Sequence, residues 1–214
     1  MTAAPALDAT LAREDLHAAG TVARAAEGVG FAALWANETK HNPFVQLALA
    51  AVATSRILLG TGVAIAFPRS PTVMAHLAWD LAALSGGRFI LGLGTQVKAH
   101  IERRFGVPWD PPVAKLREYL EAVRAVWRSW QEDLPLRVEG RYYRLSLMPP
   151  FFNPGPIAHP EIPVYIAGVN PLLCRLAGET AQGFCVHPFH TVPYLTSVVI
   201  PNIARGLEAR GRPR

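Results

Sequence analysis

Pro71-Thr-Val-Met-Ala-His-Leu-Ala-Trp-Asp-Leu-Ala-Ala-Leu84, followed by Ser85-Gly86-Gly87-Arg88 and then by Phe89-Ile90-Leu91-Gly92-Leu93-Gly94-Thr95-Gln96, is the stretch on which the fold turns. Ser70 and Pro71 open a helix. A serine oxygen can accept a hydrogen bond from a first-turn N–H that lacks a partner, and proline at the first helical position has no N–H to satisfy. Gly86 and Gly87 stop the helix. The run Phe89 to Leu93 is apolar throughout and then meets the polar Thr95 and Gln96. A strand apolar on both faces belongs in a parallel sheet covered by helices.

The same alternation extends in both directions. Upstream, a short strand near Ala6 to Thr10 leads to a helix over about Arg13 to Gly28. The run Phe31 to Ala36 ends in the polar segment Asn37 to Asn42, a helix covers Pro43 to about Thr54, and a further run spans Ile57 to Ala66. Downstream, a long helix is expected over Val113 to Gln131. Ile162 to Ala167 and Phe184 to His187 then read as strands, with helices over Pro171 to Ala181 and Tyr194 to Arg210. Asn42-Pro43 and Asn170-Pro171 repeat the helix-opening chemistry of Ser70-Pro71.

This makes about six βα units, the first the weakest. Two architectures fit: a doubly wound open sheet, which six strands complete, and a (β/α)8 barrel lacking about two units. In the long helix, Leu116, Leu120, Val123, Trp127 and Trp130 form one apolar stripe at 4-3-4-3 spacing, expected in the core or at a subunit contact. Residues 132–161 break the rhythm. They read as a hairpin, Arg137 to Leu145, and a proline-rich loop, too long for an ordinary connection and therefore expected to be a functional excursion such as a lid. The chain reads as one domain over residues 1–214 with that insertion.

Composition narrows the function. Half of the 214 residues are apolar and 17% are charged, as in a globular protein. No run approaches the roughly 20 apolar residues that span a bilayer, and the first residues do not resemble a signal segment. Two cysteines, Cys174 and Cys185, cannot make a disulfide framework, so a cytoplasmic, reducing setting and no membrane partner are expected. The net charge of +5 comes mostly from arginines spread along the chain. Nucleic-acid binders gather charge on one element, so no nucleic-acid partner is expected.

In either architecture, ligands meet the C-terminal ends of the strands. There the sequence places Glu38, Lys40, His41 and Asn42; Ala64, Ile65 and Ala66; Gly94, Thr95 and Gln96, followed by His100, Arg103 and Arg104; Gly168, Val169 and Asn170; and His187 and His190. Such a set suits proton transfer and anion binding around a flat ligand. Neither G-x-G-x-x-G after the first strand nor a phosphate-binding G-x-x-x-x-G-K-[ST] is present, nor is a G-x-S-x-G elbow. The histidine spacings make no recognisable metal site, so no metal is expected.

Several phrases resemble the luciferase-like monooxygenase superfamily, and most nearly its coenzyme F-420 (deazaflavin)-dependent oxidoreductase branch. They are Leu34-Trp35-Ala36-Asn37-Glu38-Thr39-Lys40-His41-Asn42-Pro43-Phe44, Leu59-Gly60-Thr61-Gly62-Val63, Leu84-Ser85-Gly86-Gly87-Arg88-Phe89-Ile90-Leu91-Gly92-Leu93-Gly94, Gly140-Arg141-Tyr142-Tyr143 and Ile162-Pro163-Val164-Tyr165-Ile166-Ala167. The resemblance runs from about Leu7 to Arg212.

It implies a TIM barrel in place of the doubly wound sheet, with a flavin or deazaflavin across the strand ends. It also implies a lid from the insertion and a bulge with a non-proline cis peptide near Ala64-Ile65-Ala66. His41 falls where some deazaflavin enzymes keep an active-site histidine, and Glu38 is expected to orient it. By the same resemblance Ala64, Ile65 and Ala66 back the ring, Gly94, Thr95 and Gln96 lie beside it, and Gly168, Val169 and Asn170 lie near the tail. Arg103 and Arg104 either contact the anionic tail or form a solvated helix face.

Gln96 stands close to where some relatives have an acid. The sequence has no counterpart of the family's seventh and eighth strands, so the expectation is an incomplete barrel, marginally stable alone. Three readings follow. The first is hydride transfer between deazaflavin and a small organic substrate, in a protein that is a homodimer when full-length. The second is an FMN-dependent two-component monooxygenase, and the third an inactive cofactor-binding remnant.

Overall fold

The computed structural model describes residues 6–11 and 15–211. Six parallel strands form one sheet in the order β1 (Asp8–Thr10), β2 (Ala33–Ala36), β3 (Leu58–Thr61), β5 (Phe89–Gly94), β8 (Val164–Ala167) and β9 (Gly183–Cys185), and the short β4 (Ala64–Ile65) also pairs with β5. The order never reverses. A doubly wound sheet needs a reversal at its switch point, so that alternative is excluded.

The sheet is also curled. Trp35 on β2 and Tyr165 on β8 are separated in the sheet by β3 and β5, yet their rings approach to 5.8 Å across the concave side. Both are half-buried, whereas their neighbours Leu34, Val164 and Ile166 are buried against the helices. The architecture is an incomplete (β/α)8 barrel with its interior partly open. Among the described residues, β1 and β9 are the sheet's two edges.

The helices α1 (Ala19–Val29), α2 (Pro43–Ala53), α3 (Pro71–Leu84), α5 (Pro112–Glu132), α6 (Pro171–Thr180) and α8 (Ile200–Ala209), the last preceded by the short α7 (Val192–Tyr194), cover the convex side. Three helix starts form as their sequences require: Asn42 Oδ1 accepts from Phe44 N at 3.0 Å, Ser70 Oγ from Val73 N at 3.2 Å, and Asn170 Oδ1 from Leu173 N at 2.9 Å. The expected helix start at Arg13 and the tail arginines Arg212 and Arg214 lie outside the described residues; α1 itself opens at Ala19.

The α5 stripe is buried as expected, with Leu116, Leu120, Val123, Trp127 and Trp130 all at or below 6% exposure. Removing each such side chain from water contributes about 1.5–3 kcal/mol. Two differences from the sequence reading bear on function. The run Ile57 to Ala66 is two strands, divided at a cis Gly62–Val63 peptide, two residues before the expected place.

The second is that the insertion is not a lid. Its hairpin, β6 (Val138–Glu139) and β7 (Arg144–Leu145), is pinned to the outside of α5, where Glu118 accepts from the backbone N–H groups of Arg141, Tyr142 and Tyr143 at 2.6–3.0 Å. The chain then follows α3 and α5: Trp130 Nε1 meets Met148 Sδ, Trp79 Nε1 donates to Gly155 O, and His159 packs on Gly87. This strap covers tryptophans that the helices alone would leave wet, and burial of those rings holds it on the outer wall.

Candidate active site at the strand ends

The strands finish on small residues. Ala36 ends β2, Thr61 ends β3 and Gly62 follows it, Ala66 follows β4, Gly94 ends β5, and Ala167 ends β8 with Gly168 next. Gly62, Ala167 and Gly168 keep part of their surface open, while Ala36, Thr61, Ala66 and Gly94 are buried beneath the rim. Small residues at adjacent strand ends leave the flat floor that a broad planar ring needs. Gln96, just beyond β5, has φ 61°, a conformation non-glycine residues seldom adopt and one that concentrates at functional sites. The small residues of this rim therefore fit a flavin-type ring.

The expected site residues are mostly brought together on this rim. Ala64 pairs with Leu93 and Ile65 with Gly94, and Ala66 N donates to Gly94 O at 3.0 Å, so the Ala64-Ile65-Ala66 and Gly94-Thr95-Gln96 segments lie side by side. Ala64, Ile65 and Ala66 are buried whole, so they underlie the rim and present almost no surface of their own. Thr95 Oγ1 donates to Gln96 O, and Gln96 Oε1 accepts from Val97 N. On the next strand, Asn170 is committed to capping α6, Val169 O accepts from Tyr194 Oη at 2.6 Å, and Gly168 leaves room for Leu173.

Glu38 lies on the rim but does not orient His41. One oxygen accepts from Ile65 N at 2.7 Å and from Arg69 Nη1 at 2.8 Å, and the other from Arg69 Nη2 at 2.7 Å. The paired side chains are 9% (Glu38) and 14% (Arg69) exposed. Arg69 also donates to Ile65 O and lies over the Phe44 ring. Glu38 and Arg69 thus clamp both backbone polar groups of Ile65 and fix β4. His41 is half-buried, three residues along the same loop.

Arg69 went unrecognised in the sequence; the available signal was an arginine between a strand end and a helix cap, on the functional side of the sheet. The helix α4 (Lys98–Arg103) was also missed, because six residues with the single buried anchor Ile101 are too short to show a period. On β9's far end, His187 Nδ1 accepts from Phe189 N, and both ring nitrogens of His190 are buried without a hydrogen-bond partner among the described residues. The rings are 6.0 Å apart, and no group of three or more His, Cys, Asp or Glu among the described residues is placed to hold a metal.

Burial pushes the Cys185 thiol up to about 11, so it is not an activated nucleophile. No helix among the described residues is long and apolar enough to cross a membrane. A cleft of about 330 Å³, between α5 and the entries to β8 and β9, lies at the opposite end of the barrel.

Residues 1–214 match the family model described as luciferase-like monooxygenase. The chain belongs to the luciferase-like monooxygenase family. An uncharacterized protein of Mycobacterium tuberculosis is 44% identical over 199 residues, covering 93% of this chain and 58% of that relative. The luciferase-like fold recurs in a solved coenzyme F-420-dependent tetrahydromethanopterin reductase from Methanopyrus kandleri, with a TM-score of 0.80 at 27% identity, over 97% of this chain and 62% of that one. The oxygenating constituent of 3,6-diketocamphane monooxygenase from Pseudomonas putida, solved in complex with FMN, has a TM-score of 0.79 at 18% identity, covering 99% and 64%. This chain spans about half to two-thirds of the length of the relatives it matches.

Proposed function

We propose that the chain forms the ring-binding part of a coenzyme F-420-dependent oxidoreductase that reduces or oxidises a small organic substrate. The carrying observation is the floor of alanine and glycine at the strand ends, with half-buried His41 at its edge. The 27% identity to an F-420-dependent reductase favours the deazaflavin over FMN, since the likeness to the FMN-bound monooxygenase, at 18%, carries the fold alone. A bound deazaflavin supplies hydride chemistry and does not activate oxygen as FMN does.

The protein's own contribution is position and proton handling. Ala64, Ile65, Ala66 and Gly94 back the ring from beneath the floor, Thr95 and Gln96 border it, and Gly168, Val169 and Asn170 flank its tail. Glu38, through Arg69 and Ile65, keeps β4 in place. His41 gives or takes the proton that accompanies hydride transfer at an imidazole nitrogen. The protein acts as a cytoplasmic homodimer.

Fluorescence titration with coenzyme F-420 and, separately, FMN tests the reading. Saturable binding of the deazaflavin, with affinity retained in His41→Gln, is expected; the same substitution lowers turnover by about 100-fold or more. Preferential FMN binding, with oxygen uptake once FMN is reduced, would overturn it in favour of the monooxygenase.

A further inference from the structure

We infer that the cleft at the opposite end of the barrel, between α5 and the entries to β8 and β9, is a second ligand site. Its chemistry suits a small zwitterion with an apolar body, such as a hydrophobic amino acid. At about 330 Å³ it has the size of a small-molecule pocket. Its floor is Trp79, Trp127 and Ile162, at 1%, 6% and 7% exposure. Both indole N–H groups are already committed, Trp79 Nε1 to Gly155 O and Trp127 Nε1 to Ala75 O, so the floor meets a ligand with carbon alone.

Three polar side chains of the wall are held in place by backbone from three other segments. Gln131 Oε1 accepts from Ile157 N of the strap at 3.0 Å, and Gln182 Oε1 accepts from Val164 N at the start of β8 at 2.9 Å. Arg124 Nη2 donates to Thr180 O at the end of α6. Holding each amide by its oxygen leaves its NH2 as the free end, and neither NH2 has an acceptor among the described residues.

At the mouth stand Arg128, Glu132 and Glu161, all exposed. Arg128 and Glu132 are four residues apart on α5, the spacing at which a helix pairs opposite charges, yet neither they nor Glu161 form an ion pair among the described residues. Unpaired charges of both signs thus line one cleft. An anion alone meets two free carboxylates there, and a cation alone meets two guanidiniums. A ligand carrying both charges finds a partner for each. Its carboxylate takes Arg128 and the two amide NH2 groups, its ammonium takes Glu132 and Glu161, and its apolar body lies on the tryptophan floor. None of these residues is at the strand-end rim, so the site stands whether or not the deazaflavin reading does.

Calorimetry and tryptophan emission follow titration of the chain with L-phenylalanine, with 3-phenylpropanoate, which lacks the ammonium, and with 2-phenylethylamine, which lacks the carboxylate. Wild type should bind the amino acid about tenfold more tightly than either analogue. Arg128→Gln should bring L-phenylalanine down to the affinity of the amine. Glu132→Gln and Glu161→Gln together should bring it down to the affinity of the acid. These side chains are exposed, so the variants should melt with wild type by circular dichroism; should one melt early, the other decides. The inference is overturned if L-phenylalanine fails to bind at millimolar concentration, if either analogue matches it, or if its affinity survives in both variants.

Discussion

The clamp between Glu38 and Arg69 makes a prediction whose size can be worked out. Glu38→Ala leaves the Arg69 guanidinium and the Ile65 N–H facing a nearly closed space, and Arg69→Met leaves the carboxylate there instead. Breaking a buried ion pair from one side costs about 3–5 kcal/mol. Arg69 keeps some access to water and its bond to Ile65 O, so the cost falls to or just below the bottom of that range, about 2–3 kcal/mol for each single variant. At roughly 2–4 °C per kcal/mol for a chain of this size, the melting temperature falls by about 5–10 °C.

The double variant removes both charges and should recover about 2 kcal/mol relative to the sum of the singles. Urea denaturation at pH 7, followed by tryptophan fluorescence and circular dichroism, measures the cycle. Because the clamp fixes β4, deazaflavin affinity should fall in both singles as well. Single variants within 0.5 kcal/mol of wild type, or a double variant equal to the sum of the singles, would refute the argument that this pair holds the floor of the site.

Glu27 gives a prediction in pH. Its carboxylate accepts from Ser55 N, Arg56 N and Ile57 N at 2.6–3.0 Å, tying α1 to the start of β3, and these bonds lower its pKa from 4.5 to about 2. A lowered folded-state pKa stabilises above the unfolded value, so wild type should exceed Glu27→Gln by about 1–2 kcal/mol at pH 7, after allowance for screening at this partly exposed site. That margin should shrink as pH falls from 4.5 towards 2; a margin constant across the window contradicts it. Glycines 178 and 206 let α6 and α8 touch, and a Cβ at Gly178 would overlap Ile203 O. Gly178→Ala should cost about 1–3 kcal/mol, whereas Gly28→Ala, with open space around it in α1, should stabilise by about 0.5–1 kcal/mol in the same melts.

Helix starts were legible because capping is local: Asn42, Ser70 and Asn170 bond N–H groups two or three residues away. The α5 stripe was legible because burial of one face imposes a period on the residues themselves. The rim residues could be read off for the same reason, since polar groups just after an apolar strand must emerge at its end. The partner of Glu38 could not, because Arg69 lies 31 residues away and meets it only when β4 turns back beside β5. The strap was misread as a lid because its anchors, Glu118 and the α3 and α5 tryptophans, belong to other elements.

By itself, the sequence determined the alternation of parallel strands and covering helices, the places where each helix begins, and the family phrases. All of these are written in short-range hydrogen bonding and in the spacing of apolar residues. The tertiary structure alone decided between a barrel and a doubly wound sheet, because that choice lies in strand order and in a Trp35–Tyr165 contact across the curl. It alone divided the third apolar run into two strands, committed Glu38 to Arg69, and brought Arg104, just past α4, to the carbonyl of Thr39 in the loop of His41. Those outcomes depend on which distant surfaces exclude water together, and no local pattern encodes them.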